Sequence, residues 1–269
     1  MITTDRRSRL LEIVQRQGFA SLPDLAGALE VSESTVRRDL AQLETDGAAK
    51  RTHGGAFYTG PSPNLVHFRH QKAAQWDKKK AIAEIAAGLI EDSDTVLLDG
   101  GSTTYELAQR LVARPLQIVT NSLPVANLFN SAPNIDLVVI GGYVHPRSGA
   151  IQGDYAVQML ESLRVRKAVI SAAGVHEQGL YNSNLLLVNT QRAMIRSAEE
   201  VIVVADSTKF GHQSLAHICD LSEVHHFVVD DALTPEWRDR ITTAGARLHL
   251  ATAHETSPDL RPPTSDLSQ

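Results

Sequence analysis

Seven short apolar runs recur between helical stretches in the last two thirds of the chain: TVLL, LQIV, DLVVI, KAVIS, VIVVA, HHFVV and ARLHL. Runs of four to six residues without polar alternation are the mark of strands covered on both faces, because a half-exposed strand alternates apolar and polar positions. Strands of this kind separated by helices predict an α/β domain built on a mostly parallel sheet with helices on both sides. Such a sheet leaves one edge for chemistry, the crevice outside the carboxyl ends of its strands.

A domain of that kind needs roughly 190 residues, and the chain has 269. The surplus lies at the front. TGPSPN at 59–64 combines glycine, two prolines and polar residues without periodicity, which marks a boundary. The expected organisation is a small domain over 1–58, a linker over 59–74, an α/β domain over 75–252 and a tail over 253–269 that is proline-bearing, poor in apolar residues and disordered. No apolar run approaches the roughly 20 residues of a membrane helix, and the start MITTDRRSRLLEIV lacks a signal-peptide core. Cys219 is the only cysteine, so no internal disulfide forms; the expected location is a reducing cytoplasm, with no membrane partner.

The net charge of -5 argues against nucleic acid only if the chain is one body. Residues 1–58 are neutral, with eight Lys/Arg against eight Asp/Glu, so the placement of the cations decides. From Asp5 to Gln17, Leu10, Leu11, Ile13 and Val14 fit one helix face. Ser21 is placed to cap a short second helix with Leu22, Leu25, Ala26 and Leu29 on its stripe. After Val31 and Ser32 a third helix buries Val36, Leu40 and Leu43, leaving Ser34, Thr35, Arg37 and Arg38 on the outer surface near its N-terminal end. AAKRTHGGAFYT then reads as a β-hairpin with its tip at Gly54-Gly55 and with Lys50, Arg51 and His53 on its first arm. Singly, an Arg-Arg pair is a solvated face and a Gly-Gly hairpin says nothing about DNA. In this order the parts make a winged helix-turn-helix, with short side chains near the duplex and cations for phosphates.

In the α/β part, polar signatures sit at the strand ends. After TVLLD comes GGSTTYELAQRL, which puts Asp99, Gly100, Gly101, Ser102, Thr103 and Thr104 between a strand and a helix N-terminus. Glycines admit an anion close to the backbone, and free N–H groups and hydroxyls bind it. The pattern is neither a Walker A nor a G-x-G-x-x-G loop, so no nucleotide cofactor is implied; a plain glycine turn with a hydroxyl cap is the bland alternative. VTNS, VIGG and VVADSTKFG end three further runs, the last carrying Lys209. The Lys78-Lys79-Lys80 run is expected to be solvated.

VSESTVRRDLAQLETDGAAKRTHGGA resembles the N-terminal signature of the DeoR-type repressors, and the D-x-G-[ST]-T, T-N-S, G-G and D-S-[ST]-K-F-G segments resemble their C-terminal sensor. The resemblance spans about residue 5 to residue 231. It implies a helix from near Glu33 in the major groove of double-stranded operator DNA, with Ser32, Ser34, Thr35, Arg37 and Arg38 at or near the duplex and Lys50, Arg51 and His53 in the wing beside it. It implies a sensor similar in fold to ribose-phosphate isomerases and CoA-transferases that recognises a phosphorylated metabolite. The implied pocket is Asp99, Gly101, Ser102, Thr103, Thr104, Thr120, Asn121, Ser122, Gly141, Gly142, Arg147, Gly153 and Lys209. Arg166 and Leu187 stand where many relatives carry acidic residues, so the sugar-facing wall is expected to differ. The LLLV stretch from Leu185 is read as core or as a subunit contact.

An isomerase or transferase is the rival reading. It would need a carboxylate base over the substrate carbon, and SAAGV at 171–175 holds none, although Asp99 and Asp206 remain as acids. The histidines show no metal-ligand spacing, so neither a metal nor a catalytic residue is expected. One recognition helix reads few base pairs, which makes a homodimer or homotetramer the expected assembly.

Overall fold

The computed structural model describes residues 3–17, 19–45, 49–51, 54–58 and 75–252. The chain divides into two units, Met1–Val66 and His67–Gln269. His53, and the linker and tail read at 59–74 and 253–269, lie outside the described residues.

In the first unit, α1 (Thr3–Gln17), α2 (Leu22–Leu29) and α3 (Glu33–Thr45) pack over a three-stranded antiparallel sheet ordered β1 (Phe19–Ser21), β3 (Gly55–Tyr58), β2 (Ala49–Arg51). The hairpin of β2 and β3 follows the sequence reading, while β1, three residues pairing onto β3, was not legible in it. Leu10, Val14, Leu25, Leu29, Val36, Leu40 and Leu43 form the core, the stripe that the helical spacing predicts. Ser21 caps α2, its Oγ accepting from the Asp24 amide at 3.2 Å, and Ser32 Oγ accepts from the Thr35 amide at 3.4 Å at the start of α3.

The second unit is built on seven strands, all parallel, in the order β6 (Ile135–Val139), β5 (Leu116–Thr120), β4 (Thr95–Leu98), β9 (Val165–Ile170), β12 (Ala198–Val204), β14 (His226–Asp230), β15 (Arg247–Ala251). These are the seven apolar runs. On one face, α4 (Trp76–Gly88), α5 (Ser102–Leu111) and α6 (Leu123–Phe129) cover Val96, Leu98, Ile118, Ile202, Val204 and Val228. On the other, α7 (Asp154–Glu161), α8 (Leu185–Ser197) and α9 (Pro235–Thr243) lie on the side of Leu97, Val119, Ile170, Val201, Val203 and Phe227. Neighbouring residues of one strand thus feed two cores, the reason the strands show no polar alternation.

Two antiparallel additions flank this sheet: the hairpin of β7 (Tyr143–Val144) with β8 (Ile151–Gln152), and the small sheet of β10 (Gly174–His176), β11 (Gly179–Asn182) and β13 (Ala216–Cys219). The order of the large sheet fixes where ligands fit. From β4 the chain moves one way to β5 and β6, then returns to the other side of β4 for β9 and proceeds to β12, β14 and β15. The connections leaving β4 and β9 therefore run to opposite sides, which makes the carboxyl ends of these two strands the expected place for a ligand.

Candidate DNA interface and effector crevice

The first unit spends some cations internally and leaves others outward. Asp39, inside α3 and 1% exposed, accepts from Arg6 Nε at 2.6 Å and Arg7 Nε at 3.2 Å. Burial alone would push its carboxyl pKa up, but the two guanidiniums outweigh it and hold the pKa below the ordinary value. Arg51 is paired with Glu44 at 2.6 Å, and Arg37 reaches Glu33 at 3.8 Å across one exposed helical turn. Arg38 has no ion-pair partner among the described residues. Ser32, Ser34, Arg37 and Arg38 are exposed and Thr35 half-buried, so the N-terminal end of α3 presents hydroxyls and guanidiniums together. Lys50 lies in β2.

In the second unit the strand-end site is built around Asp99, which follows β4 and is 2% exposed. Its Oδ1 accepts from the Gly100 amide at 2.6 Å; its Oδ2 accepts from Gln191 Nε2 at 2.9 Å and from Ser171 Oγ at 3.0 Å. Burial raises its pKa against these donors. Asp99 thereby ties the β4 loop to the β9 loop and to α8, with both oxygens engaged. Neither Ser171 nor Gln191 was singled out in the sequence, since no local pattern links them to Asp99. Gly101 packs directly against Ser171, and a Cβ there would collide with that side chain.

Next to this knot the amides of Ser102, Thr103 and Thr104 open α5, whose first i→i−4 bond runs from Tyr105 N to Gly101 O at 2.9 Å. The three side chains are buried, and the Thr104 hydroxyl has no hydrogen-bond partner among the described residues. In the neighbouring T-N-S turn, Thr120 Oγ1 donates to Leu98 O at 2.7 Å and Ser122 Oγ caps α6 by accepting from Val125 N at 3.4 Å. Asn121 donates to Ile151 O at 3.0 Å and keeps its Oδ1 buried without a partner among the described residues. Gly141 follows β6, Gly142 takes φ +144° against the Gln152 carbonyl, Gly153 precedes α7 and Arg147 is exposed on the hairpin turn.

Lys209 ends a 3-10 turn (Ser207–Lys209) shaped by Asp206, whose Oδ1 accepts from the Thr208 amide at 3.1 Å and from its hydroxyl. Here the sequence reading needs correction, because the lysine triplet of α4 is not a solvated run. Lys79 is 4% exposed, and burial pushes its pKa down to about 8; Asp206 and Glu106 favour its charge, while Lys209 opposes it. Lys78 Nζ meets Asp230 Oδ1 at 2.9 Å and Ser207 Oγ at 2.8 Å, and Lys80 lies over the Trp76 ring at 4.3 Å. The available signal was phase: 79, 82, 83 and 86 share one helical stripe, so Lys79 points inward with Ile82, Ala83 and Ala86. A second correction concerns Arg166. It pairs with Asp94 at 2.8 Å and Glu91 at 3.1 Å beside the amino end of β9, opposite the crevice, and so forms no sugar-facing wall. Leu187 is half-buried in the first turn of α8, while Leu185 and Leu186 are exposed.

The sequence patterns of two families match this chain: the DeoR-like helix-turn-helix domain over residues 6–60 and the DeoR C terminal sensor domain over residues 74–231. The chain belongs to the DeoR family. Among its relatives is the glycerol-3-phosphate regulon repressor of Escherichia coli (strain K12), 31% identical over 232 residues that make up 86% of this chain and 92% of that one. The HTH-type transcriptional regulator IolR of Bacillus subtilis (strain 168) is 32% identical over 248 residues, 91% and 98% of the two chains. A putative aga operon transcriptional repressor of Escherichia coli O157:H7 is 30% identical over 253 residues, 92% and 94%. Among solved structures, a ribose 5-phosphate isomerase from Methanocaldococcus jannaschii covers 51% of this chain and 55% of its own at 19% identity, with a TM-score of 0.38. This DeoR-family chain is thus a DNA-binding transcriptional regulator with a sensor domain, and the isomerase or transferase reading gives way to that of its named relatives. No described helix is long and apolar enough to cross a membrane.

Proposed function

We propose that this regulator is a cytoplasmic repressor that holds a two-fold operator with paired α3 helices and lets go when a phosphorylated sugar or polyol occupies the crevice. Base edges and phosphates would be met by Ser32, Ser34, Thr35, Arg37 and Arg38, with the β2–β3 wing alongside. A helix that reads only a few base pairs needs a partner, which makes the working form a homodimer or homotetramer.

The observation that carries the effector assignment is unspent hydrogen-bonding capacity at an anion-ready place. Among the described residues the Thr104 hydroxyl and Asn121 Oδ1 are buried without partners, the former in the first turn of α5, and buried polar atoms are rarely left so. Lys209 and Lys79, close enough for Lys209 to oppose the charge of Lys79, supply two cationic elements for a phosphate. Asp99 builds the site through its neighbours rather than facing the ligand, since its oxygens are taken. The relatives' names, glycerol-3-phosphate regulon and aga operon among them, agree with a sugar or polyol signal.

The test pairs the wild-type full chain and one variant with glycerol 3-phosphate, ribose 5-phosphate and inorganic phosphate as probes. A bound probe at a hundredfold excess over its Kd adds about 2.7 kcal/mol of stability to the sensor and raises its melting temperature. Lys209→Ala is expected to abolish that shift while leaving affinity for a duplex selected from a random-sequence pool intact. If no phosphorylated probe stabilises the wild type, or if Lys209→Ala loses DNA binding as well, the assignment is wrong.

A further inference from the structure

Ten large apolar side chains among the described residues are exposed, and six of them gather on one part of the second unit: Leu123, Tyr143, Val144, Tyr155, Leu185 and Leu186. They come from four elements that meet around the β7–β8 hairpin. The Leu123 amide donates to Gly149 O in the hairpin turn at 3.0 Å. Tyr143 is the strand partner of Gln152, and the Gln152 side chain accepts at 3.1 Å from Asn184, the residue that caps α8 just before Leu185 and Leu186. Tyr155 follows in the first turn of α7 and is 79% exposed. Single exposed apolar residues are ordinary, but a collar of tyrosine, leucine and valine on four linked elements has the composition of an interface core.

We propose that this collar is the docking surface for a second copy of the chain. Two observations select that occupant. The first is function: a DNA-reading chain with one recognition helix must be held to another copy, and a closed pair needs a patch that complements itself about a two-fold axis. The second is charge. Arg147 on the hairpin turn and Asp154 at the start of α7 flank the collar from opposite ends of the hairpin; both are exposed, and neither has an ion-pair partner among the described residues. A two-fold axis across the hairpin sets Arg147 of each copy against Asp154 of the other, twice, around an apolar centre. The two copies would then give each of these charges a protein partner that one copy alone does not supply.

The surface is also continuous with the crevice. Ile151 N donates to Asn121 O at 2.6 Å, Asn121 Nδ2 donates to Ile151 O at 3.0 Å, and Ser122 forms an isolated bridge with Ala150. A ligand that moves Asn121 moves the hairpin on which the second copy rests. That coupling rests on the effector reading above; the docking surface itself does not.

Sedimentation of the full chain without DNA or ligand tests the surface. Wild type is expected to sediment as a dimer or a larger even assembly at micromolar concentration, and Tyr155→Asp with Leu185→Asp to weaken association by about thirtyfold or more, the scale of a lost interface hot spot. Because the apolar changes can disturb folding, charge reversal gives an independent reading: Arg147→Asp or Asp154→Arg alone weakens association, and the two together restore it. A monomeric wild type, or single reversals with unchanged mass, overturns the proposal. A fall in mass with undiminished affinity for duplex DNA would keep the surface and overturn the two-fold operator reading instead.

Discussion

The two units handle polar side chains in opposite ways. In the first, the groups offered to a ligand stand on the outside: Ser32, Ser34, Arg37 and Arg38 are exposed, while Asp39 takes up Arg6 and Arg7. In the second, Asp99, Thr104, Asn121 and Lys79 are each under 5% exposed, the first three in the segments that follow β4 and β5. The contrast matches the two kinds of ligand. A duplex is large, rigid and charged along its length, so it is met by a surface whose cations remain in water until contact. A small anion must be surrounded, and surrounding it requires donors already desolvated and fixed by the fold.

If that contrast is right, substitution in the second unit damages folding and substitution on the face of α3 damages only affinity. The largest effect is expected at Asp99. Replacing it with alanine strands the donors of Ser171, Gln191 and Gly100, each worth about 1–3 kcal/mol when buried and unpaired, for a loss of roughly 4 kcal/mol in sensor stability by urea or thermal melting. A variant that melts like wild type would break the comparison on the sensor side. Arg37→Ala comes next. It should cost about 1–3 kcal/mol in DNA affinity and lower the salt dependence by about one counterion, while stability stays within about 0.5 kcal/mol. Equal loss for every sequence would assign Arg37 to phosphates, and selective loss to a base edge.

The smallest expected effect is a pH dependence of Lys79. Its pKa in the folded chain is about 8, against 10.5 for a free lysine, so between these values the unfolded chain binds more protons and stability rises with pH. Attraction of an anion runs the other way, because it needs the charged form: affinity for a phosphorylated probe should fall a few-fold between pH 7 and pH 9. Lys79→Met should flatten both trends. Trends that persist in the variant assign the titration to another group.

Much of this was legible in the sequence because the relevant signals are local. Seven apolar runs became seven parallel strands, and the stripes of α2 and α3 became the core of the first unit. Loop composition placed Ser102–Thr104 and Thr120–Ser122 on adjacent strand ends, where β4 and β5 pair. What escaped depends on pairing across the chain. Ser171 and Gln191 matter through contacts 72 and 92 residues away at Asp99. Strands of two to four residues such as β7, β10 and β13 are too short to carry a period of their own. Lys79 was masked by its charged neighbours, since three lysines in a row read as surface unless the helical phase is followed through them.

The close approach of Gly101 to Ser171 has a practical corollary for anyone wishing to retune the inducer. With no room there for even a methyl group, a library that randomises the whole β4 loop would discard most of its members to misfolding before selection begins. Diversity is better invested where a new side chain meets no neighbour, as at Gly141, which is exposed and has open space around an added Cβ.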